Sequence, residues 1–269
     1  MKLGVSTWSL LDMDVCDAVE SIGDAGFEYV ELWGEVPHAY PGWVDRNRLK
    51  DALSRYDMAV TTHAPFTDLN PGSPFQPVKA AVEETLVEFV EFSAFLGASI
   101  TTVHPGSVHS ERLVEQSLGS SVSLLRKMVK ASDGRLSVNV ENQAKSHSKY
   151  HFPLASTAES LVKVLDEVEG TGCTIDTGHA NVNGLDSMGL ARRVGRKIGE
   201  VHLSDNAGQS DDHLMPGTGT SRLGPFLQSV SGSDVLICLE LNPHKYTKDE
   251  VLGSLEKSRT LFLRSGPPP

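Results

Sequence analysis

The chain reads as a single (β/α)8 barrel, and three observations point there. Eight short apolar, β-branched runs alternate with longer segments of helical period, the pattern of strands and crossover helices in a parallel sheet. The length of 269 residues sits near the about 250 usual for such a barrel. Finally, the third to the eighth runs stop on His63, His104, Glu141, Asp176, His202 and Glu240, all of metal-ligand type and all at the end where barrel strands open into one shared mouth.

In order, the strand candidates are LGVS (3–6), YVELW (29–33), MAVTTH (58–63), SITTVH (99–104), LSVNVE (136–141), CTID (173–176), EVHL (200–203) and VLICLE (235–240). Helical patterns occupy 14–25, 45–56, 77–96, 110–131, 156–168, 184–197, 221–230 and 247–263. In the third of these, Val78, Val82, Leu86, Phe89, Val90 and Leu96 trace one face. Ser156 with Glu159, and Thr247 with Glu250, have capping-box spacing. A doubly wound sheet would call for a glycine-rich phosphate loop after the first strand, and STWSLLDMD is not one. The strand-to-helix loops 64–76, 142–155 and 204–220 are long and rich in Pro, Gly, Ser and Asn, which places function on that face. The barrel is expected over 1–264, and SGPPP (265–269), which cannot continue a helix, as a disordered tail.

The net charge of −11 provides no general attraction to nucleic acid, so phosphate binding would need local groups or metal ions. Cys16, Cys173 and Cys238 form no CxxC and fit a reducing compartment. No apolar stretch reaches the roughly 18 residues of a membrane span, and no leader is visible, so a cytoplasmic location is expected.

A lone strand-terminal His or Glu is usually a hydrogen-bonded structural residue. Six in a row are different, because buried carboxylates cost several kcal/mol unless paired or coordinated. His179 follows Asp176 by three residues in DTGH, and Asp211 and His213, two apart, project to the same side of an extended loop. Two imidazoles and one carboxylate leave an open coordination position of the kind catalytic zinc uses. Together these are five His and four carboxylates without a thiolate, a set that suits Zn or Mn and disfavours Mg.

THAPF with NPGSP downstream, VHPGS, VEN, IDTGHA, VHLSD, DxH before GTG, and LELN, in that order over about residues 58–243, resemble the endonuclease IV (AP endonuclease family 2) branch of the xylose-isomerase-like TIM barrels. The resemblance implies three ions sharing nine ligands: His63, His104 and Glu141; a bridging Glu141 with Asp176, His202 and Glu240; and His179, Asp211 and His213. It also implies hydrolysis of the phosphodiester on the 5′ side of abasic sites in DNA, with Glu141 and Glu240 as the catalytic carboxylates. GVSTWSL and YVELWGE look more like the sugar isomerase and epimerase members. Those hold one divalent ion on the equivalents of Glu141, Asp176, His202 and Glu240, two of whose glutamates move protons on a sugar or sugar phosphate. PGTG also occurs there, although usually after an arginine where this chain has Asp211-Asp212-His213. A sugar-binding barrel with a purely structural ion is the third reading, disfavoured because structural sites close their coordination shell.

The ligand motifs put the phosphoesterase first, with more than one ion expected and the isomerase or epimerase as the alternative. Tyr40 and Trp43 in EVPHAYPGW are candidates to stack on a base or sugar, and Lys145 to meet a phosphate. That loop has no Arg before Arg46, where endonuclease IV uses a basic residue to enter DNA. His38, His109, His147, His151 and His244 fall outside the ligand motifs and are expected at the surface or behind the ligands.

Overall fold

The computed structural model describes residues 2–264. In chain order the elements are β1 (Lys2–Ser6), α1 (Val15–Asp24), β2 (Tyr29–Trp33), α2 (Arg46–Ser54), β3 (Ala59–His63), α3 (Gln76–Leu96), β4 (Ile100–Val103) and β5 (Ser107–Val108). There follow α4 (Val114–Ser132), β6 (Ser137–Glu141), β7 (Phe152–Pro153), α5 (Ala158–Glu167), β8 (Thr171–Asp176), α6 (Thr177–Val182) and α7 (Ser187–Val194). The chain ends in β9 (Ile198–Leu203), α8 (Leu223–Val230), β10 (Leu236–Leu239), α9 (Lys248–Leu252) and α10 (Ser254–Arg264). Eight strands close into a barrel in the order β1-β10-β9-β8-β6-β4-β3-β2, every neighbouring pair parallel. The expected (β/α)8 architecture is present. No described helix is long and apolar enough to cross a membrane.

Departures from the expected elements have local causes. The predicted helix 184–197 is α7 alone, over Ser187–Val194, and the additional short helix α6 precedes it because Asp176 accepts from the His179 amide and starts a helix directly on the strand end. The last predicted helix is interrupted at Gly253, which divides it into α9 and α10. The capping box at α9 uses Thr247 and Glu250 as expected, whereas α5 is capped by Thr157 with Ser160, one residue later than Ser156 and Glu159. The unforeseen strands β5 and β7 pair antiparallel and tie the loops after β4 and β6 together. The predicted tail, 265–269, lies outside the described residues.

Alternate residues of each strand face the helices and the barrel interior. The helix-facing set is apolar, with Val5, Leu32, Val60, Val103, Val140, Ile175, Leu203 and Leu239 all buried. The interior set is not the usual Val, Ile and Leu filling. Thr61 and Thr102 donate from two strands to the Glu200 carboxylate at 2.9 and 3.1 Å. Thr102 also meets Thr174 at 2.7 Å, and Asn139 donates to Thr174 at 3.3 Å. Gly4 makes room for the buried Tyr29 ring, because a Cβ there would lie 2.5 Å from it. The barrel is thus plugged by a hydrogen-bonded polar layer directly below the strand ends.

Glu200 is the exposed cost of that layer in energetic terms only, for it is wholly buried. Burial pushes its carboxyl up to about 8 from an ordinary 4.5, with the negative Glu31 adding to the shift. An acid that stays protonated in the fold but ionises in the unfolded chain costs stability as pH rises from 4.5 towards 8. Glu200→Gln should therefore raise the melting temperature by several degrees at pH 8, on the order of 2 kcal/mol, and bring no such gain near pH 4. Equal effects at both pH values, read by thermal melts, would show that Glu200 is ionised in the fold.

Candidate metal centre

Six of the eight barrel strand ends contribute to one cluster. His63 ends β3, Glu141 ends β6 and Asp176 ends β8; His202 is the penultimate residue of β9; His104 and Glu240 follow β4 and β10 directly. At the centre sits Glu141, met by four imidazoles. His63 Nε2 and His104 Nε2 approach Oε2 at 3.2 and 2.9 Å. His179 Nδ1 and His202 Nδ1 approach Oε1 at 3.2 and 3.4 Å. Glu240 Oε2 lies 3.5 Å from the same His202 Nδ1. On the outer flank, His179 Nε2 and His213 Nε2 converge on Asp211 Oδ2 at 3.0 and 2.9 Å. All nine ligand-type residues therefore share one end of the barrel.

The loop after β9 brings Asp211 and His213 into place through one carboxylate. Asp205, fully buried, accepts from the amides of Asn206, Gly217, Gly219 and Ser221 at 2.9 to 3.0 Å. Its backbone also exchanges two hydrogen bonds with Leu214. Gly219 permits this, since a Cβ there would stand 2.3 Å from the Asn206 carbonyl. His213 itself takes φ of +46°, a conformation uncommon outside glycine, and its ring meets Trp8 edge-on at 4.6 Å.

Burial dominates the electrostatics. It pushes Glu240 up to about 7 against the pull of His202. It acts the same way on Glu141, but His104 and His202 hold that carboxyl well below the usual range. Two imidazoles on one Glu141 oxygen split: burial disfavours charge on both, yet Glu141 lifts His63 to about 9 while His104 falls to about 4. Asp176 is raised by burial. Its Oδ1 is taken by the helix cap at 2.6 Å, while its Oδ2 is enclosed without a hydrogen-bond partner, as is Asp211 Oδ1. Buried carboxylate oxygens without partners are costly, and a divalent cation among these nitrogen and oxygen donors is what they fit. Among the described residues, His63–Glu141–His202, His179–Asp211–His213 and Glu141–Asp176–His179 each place one donor atom per residue within 4.8 Å of the others.

One participant was not foreseen. Glu31, fully buried in β2, accepts from His202 Nε2 at 2.9 Å, which leaves Nδ1 facing Glu141 and Glu240. A carboxylate on the far nitrogen fixes tautomer and ring orientation in metal-bound histidines. Its signal, a carboxylate on the inward parity of YVELW, was present but was read only as part of a motif.

A cavity of about 180 Å³ opens over the cluster, walled by Trp8, Trp33 and Phe66. Tyr40 and Trp43 do not line it; Trp43 is 61 % exposed, and the aromatic wall comes from the strand ends instead. Lys145 does not line it either and sits on an outer groove beside Glu111 and Glu115. His38, expected at the surface or behind the ligands, is fully buried and edge-on to Trp33 at 6.0 Å.

A sequence profile of the family described as xylose isomerase-like TIM barrel matches residues 19–259. A protein of Methanocaldococcus jannaschii without assigned activity is 29% identical, the match covering 89% of this chain and 83% of that one. Fructoselysine 3-epimerase of Shigella flexneri is 20% identical over 86% of this chain and 85% of its own length. Among solved structures, a D-tagatose 3-epimerase-like protein superposes with a TM-score of 0.86 at 26% identity, covering 98% of both chains.

Glu31→Ala should weaken binding of Mn or Zn by about 10- to 100-fold, measured by competition with a chromophoric chelator. Glu31→Gln, which keeps an acceptor, should lose less. Unchanged affinity in the alanine variant would show that His202 is oriented by other contacts.

Proposed function

The chain belongs to the xylose isomerase-like TIM-barrel family, and we propose that within it the protein is a divalent-metal-dependent sugar epimerase or isomerase acting on a ketose. The observation that carries this reading is the pair of carboxylates, Glu141 and Glu240, at 3.4 and 3.5 Å from the one His202 nitrogen, under a small cavity with an aromatic wall. Its size, below the roughly 300–1,000 Å³ of drug-sized sites, suits a single sugar ring over the cluster. The epimerases similar to this chain support the same choice. It reverses the order drawn from the ligand motifs, which put phosphodiester hydrolysis first.

Glu141, Asp176, His202 and Glu240 would hold the ion, which when bound polarises the substrate carbonyl and acidifies the adjacent C–H. One glutamate takes that proton, and the electron pair moves onto the carbonyl oxygen to give an enediolate. The other glutamate returns a proton to the same carbon from the opposite face, or, in an isomerisation, to the neighbouring carbon while the proton of the adjacent hydroxyl passes to the former carbonyl oxygen. Glu141 and Glu240, each within about 3.5 Å of the one His202 nitrogen, can serve as the two proton-transfer groups. Trp8, Trp33 and Phe66 shield the reacting carbons from water.

Glu141→Gln and Glu240→Gln should each lower ketose turnover by about 10²–10⁴-fold, and chelator should abolish it. The decisive experiment incubates protein and Mn with a panel of ketoses in deuterated water, following deuterium uptake next to the carbonyl. No uptake with any ketose would sink the reading.

A specific observation favours a second reading, hydrolysis of a phosphodiester at abasic sites by several ions. His63, His104, His179, Asp211 and His213 converge on the same cluster, and one four-ligand ion leaves them without a metal to hold. The two readings part on His213→Ala, assayed on ketoses and on an abasic-site duplex with elemental analysis alongside. Under the epimerase reading the variant keeps ketose turnover within about tenfold, since loss of a non-coordinating contact is worth about 1.4 kcal/mol. Nicking of the duplex by the parent protein, lost together with bound metal in the variant, would put hydrolysis first.

A further inference from the structure

The cavity over the cluster is not alone. A groove of about 720 Å³ adjoins it, and Phe66, His104 and His179 form a wall common to both. The groove runs between the loops after β3, β4 and β6, with Asp68, Asn70, Ser107, Gln143 and His151 along it. It falls within the roughly 300–1,000 Å³ of ligand sites, and the cavity alone does not.

Gln143 links the two. The segment Glu141-Asn142-Gln143 is held rigidly. Asn142 exchanges two hydrogen bonds with the Asp176 backbone, at 2.9 and 3.0 Å, the Gln143 amide donates to Ala155, and its carbonyl accepts from Asn183 at 2.8 Å. Successive residues thus serve the cluster, the strand end and the groove. Gln143 Nε2 is enclosed and has no acceptor within the chain, and enclosed amide donors in folded proteins are ordinarily paired. Among the described residues, no lysine or arginine lines either concavity, and Asp68 is on the groove. That lining accepts and donates hydrogen bonds, and its inner imidazoles, His104 and His179, are already paired with Glu141 and Asp211, which leaves no lysine or arginine fork for a phosphate.

We propose that the substrate is a ketose extended at the end remote from its reacting carbons by a neutral, hydroxyl-rich substituent, which lies in the groove and accepts a hydrogen bond from Gln143 once that side-chain amide turns from its enclosed, unpaired position towards the groove. The inference rests on the epimerase reading. A free hexose would engage the cavity and leave the groove unused; a terminal phosphate would meet Asp68 instead of a cation.

The test compares kcat/KM for three probes with the Mn-loaded full chain: a free ketohexose, the same ketose glycosylated at its far end, and the same ketose phosphorylated there. The glycosylated ketose should exceed the free sugar by about tenfold or more, and the phosphate should fall below it. Gln143→Ala should shrink the ratio of glycosylated to free sugar about fivefold, in line with one hydrogen bond, with the loss in KM more than in kcat. Turnover in which the free or the phosphorylated ketose is the best substrate overturns the extension and leaves the epimerase reading intact. No turnover of any of the three overturns both.

Discussion

Nine ionisable side chains can share one end of a barrel only if each carboxylate finds compensating charge, and that constraint governs the arrangement here. Removing a carboxylate from water costs several kcal/mol even after relaxation. The fold answers by surrounding Glu141 with four imidazoles and by placing Asp211 between two. Asp176 is left half compensated, one oxygen spent on a helix cap and the other unpartnered. The geometry of the mouth follows from this balance as much as from strand tilt, because the pairs hold rings and carboxylates from five strands and one loop in mutual contact.

The polar layer beneath continues the same logic. Glu31 and Glu200 lie in the barrel interior, where aliphatic residues would be the simpler filling. Glu31 is held by His202 and by the Cys238 thiol, 3.7 Å away. Glu200 is held by two threonine hydroxyls. The orientation of one ligand, His202, is therefore set from below by a residue on the opposite side of the chain's strand order, and the centre is not separable from the barrel that carries it.

Much of the fold and the cluster was legible because both rest on short-range pattern. Eight β-branched runs announce parallel strands, and a His or Glu closing such a run must stand at the mouth. Glu31 was harder to read, since YVELW is equally good as an ordinary buried strand and its partner His202 is 171 residues away. The antiparallel pair Ser107–Val108 and Phe152–Pro153 is too short to carry a period. The wall of Trp8, Trp33 and Phe66 depends on the closure of β1 against β2 and β10, which no local pattern encodes; Tyr40 and Trp43 do not line that cavity. Substrate choice was least legible, because nine candidate ligands of this kind suit two chemistries and the space above them is shaped by loops distant in sequence.

The pinning of the loop after β9 on Asp205 has a consequence for how such a site can change. Four amides and a backbone bridge close the loop at its base, and none of these bonds uses the side chain of Asp211 or His213. The anchor of the loop is thus separate from the outer candidate ligands it carries, so these can change by substitution while the inner four candidates stay in register. Passage between one chemistry and another then needs no refolding.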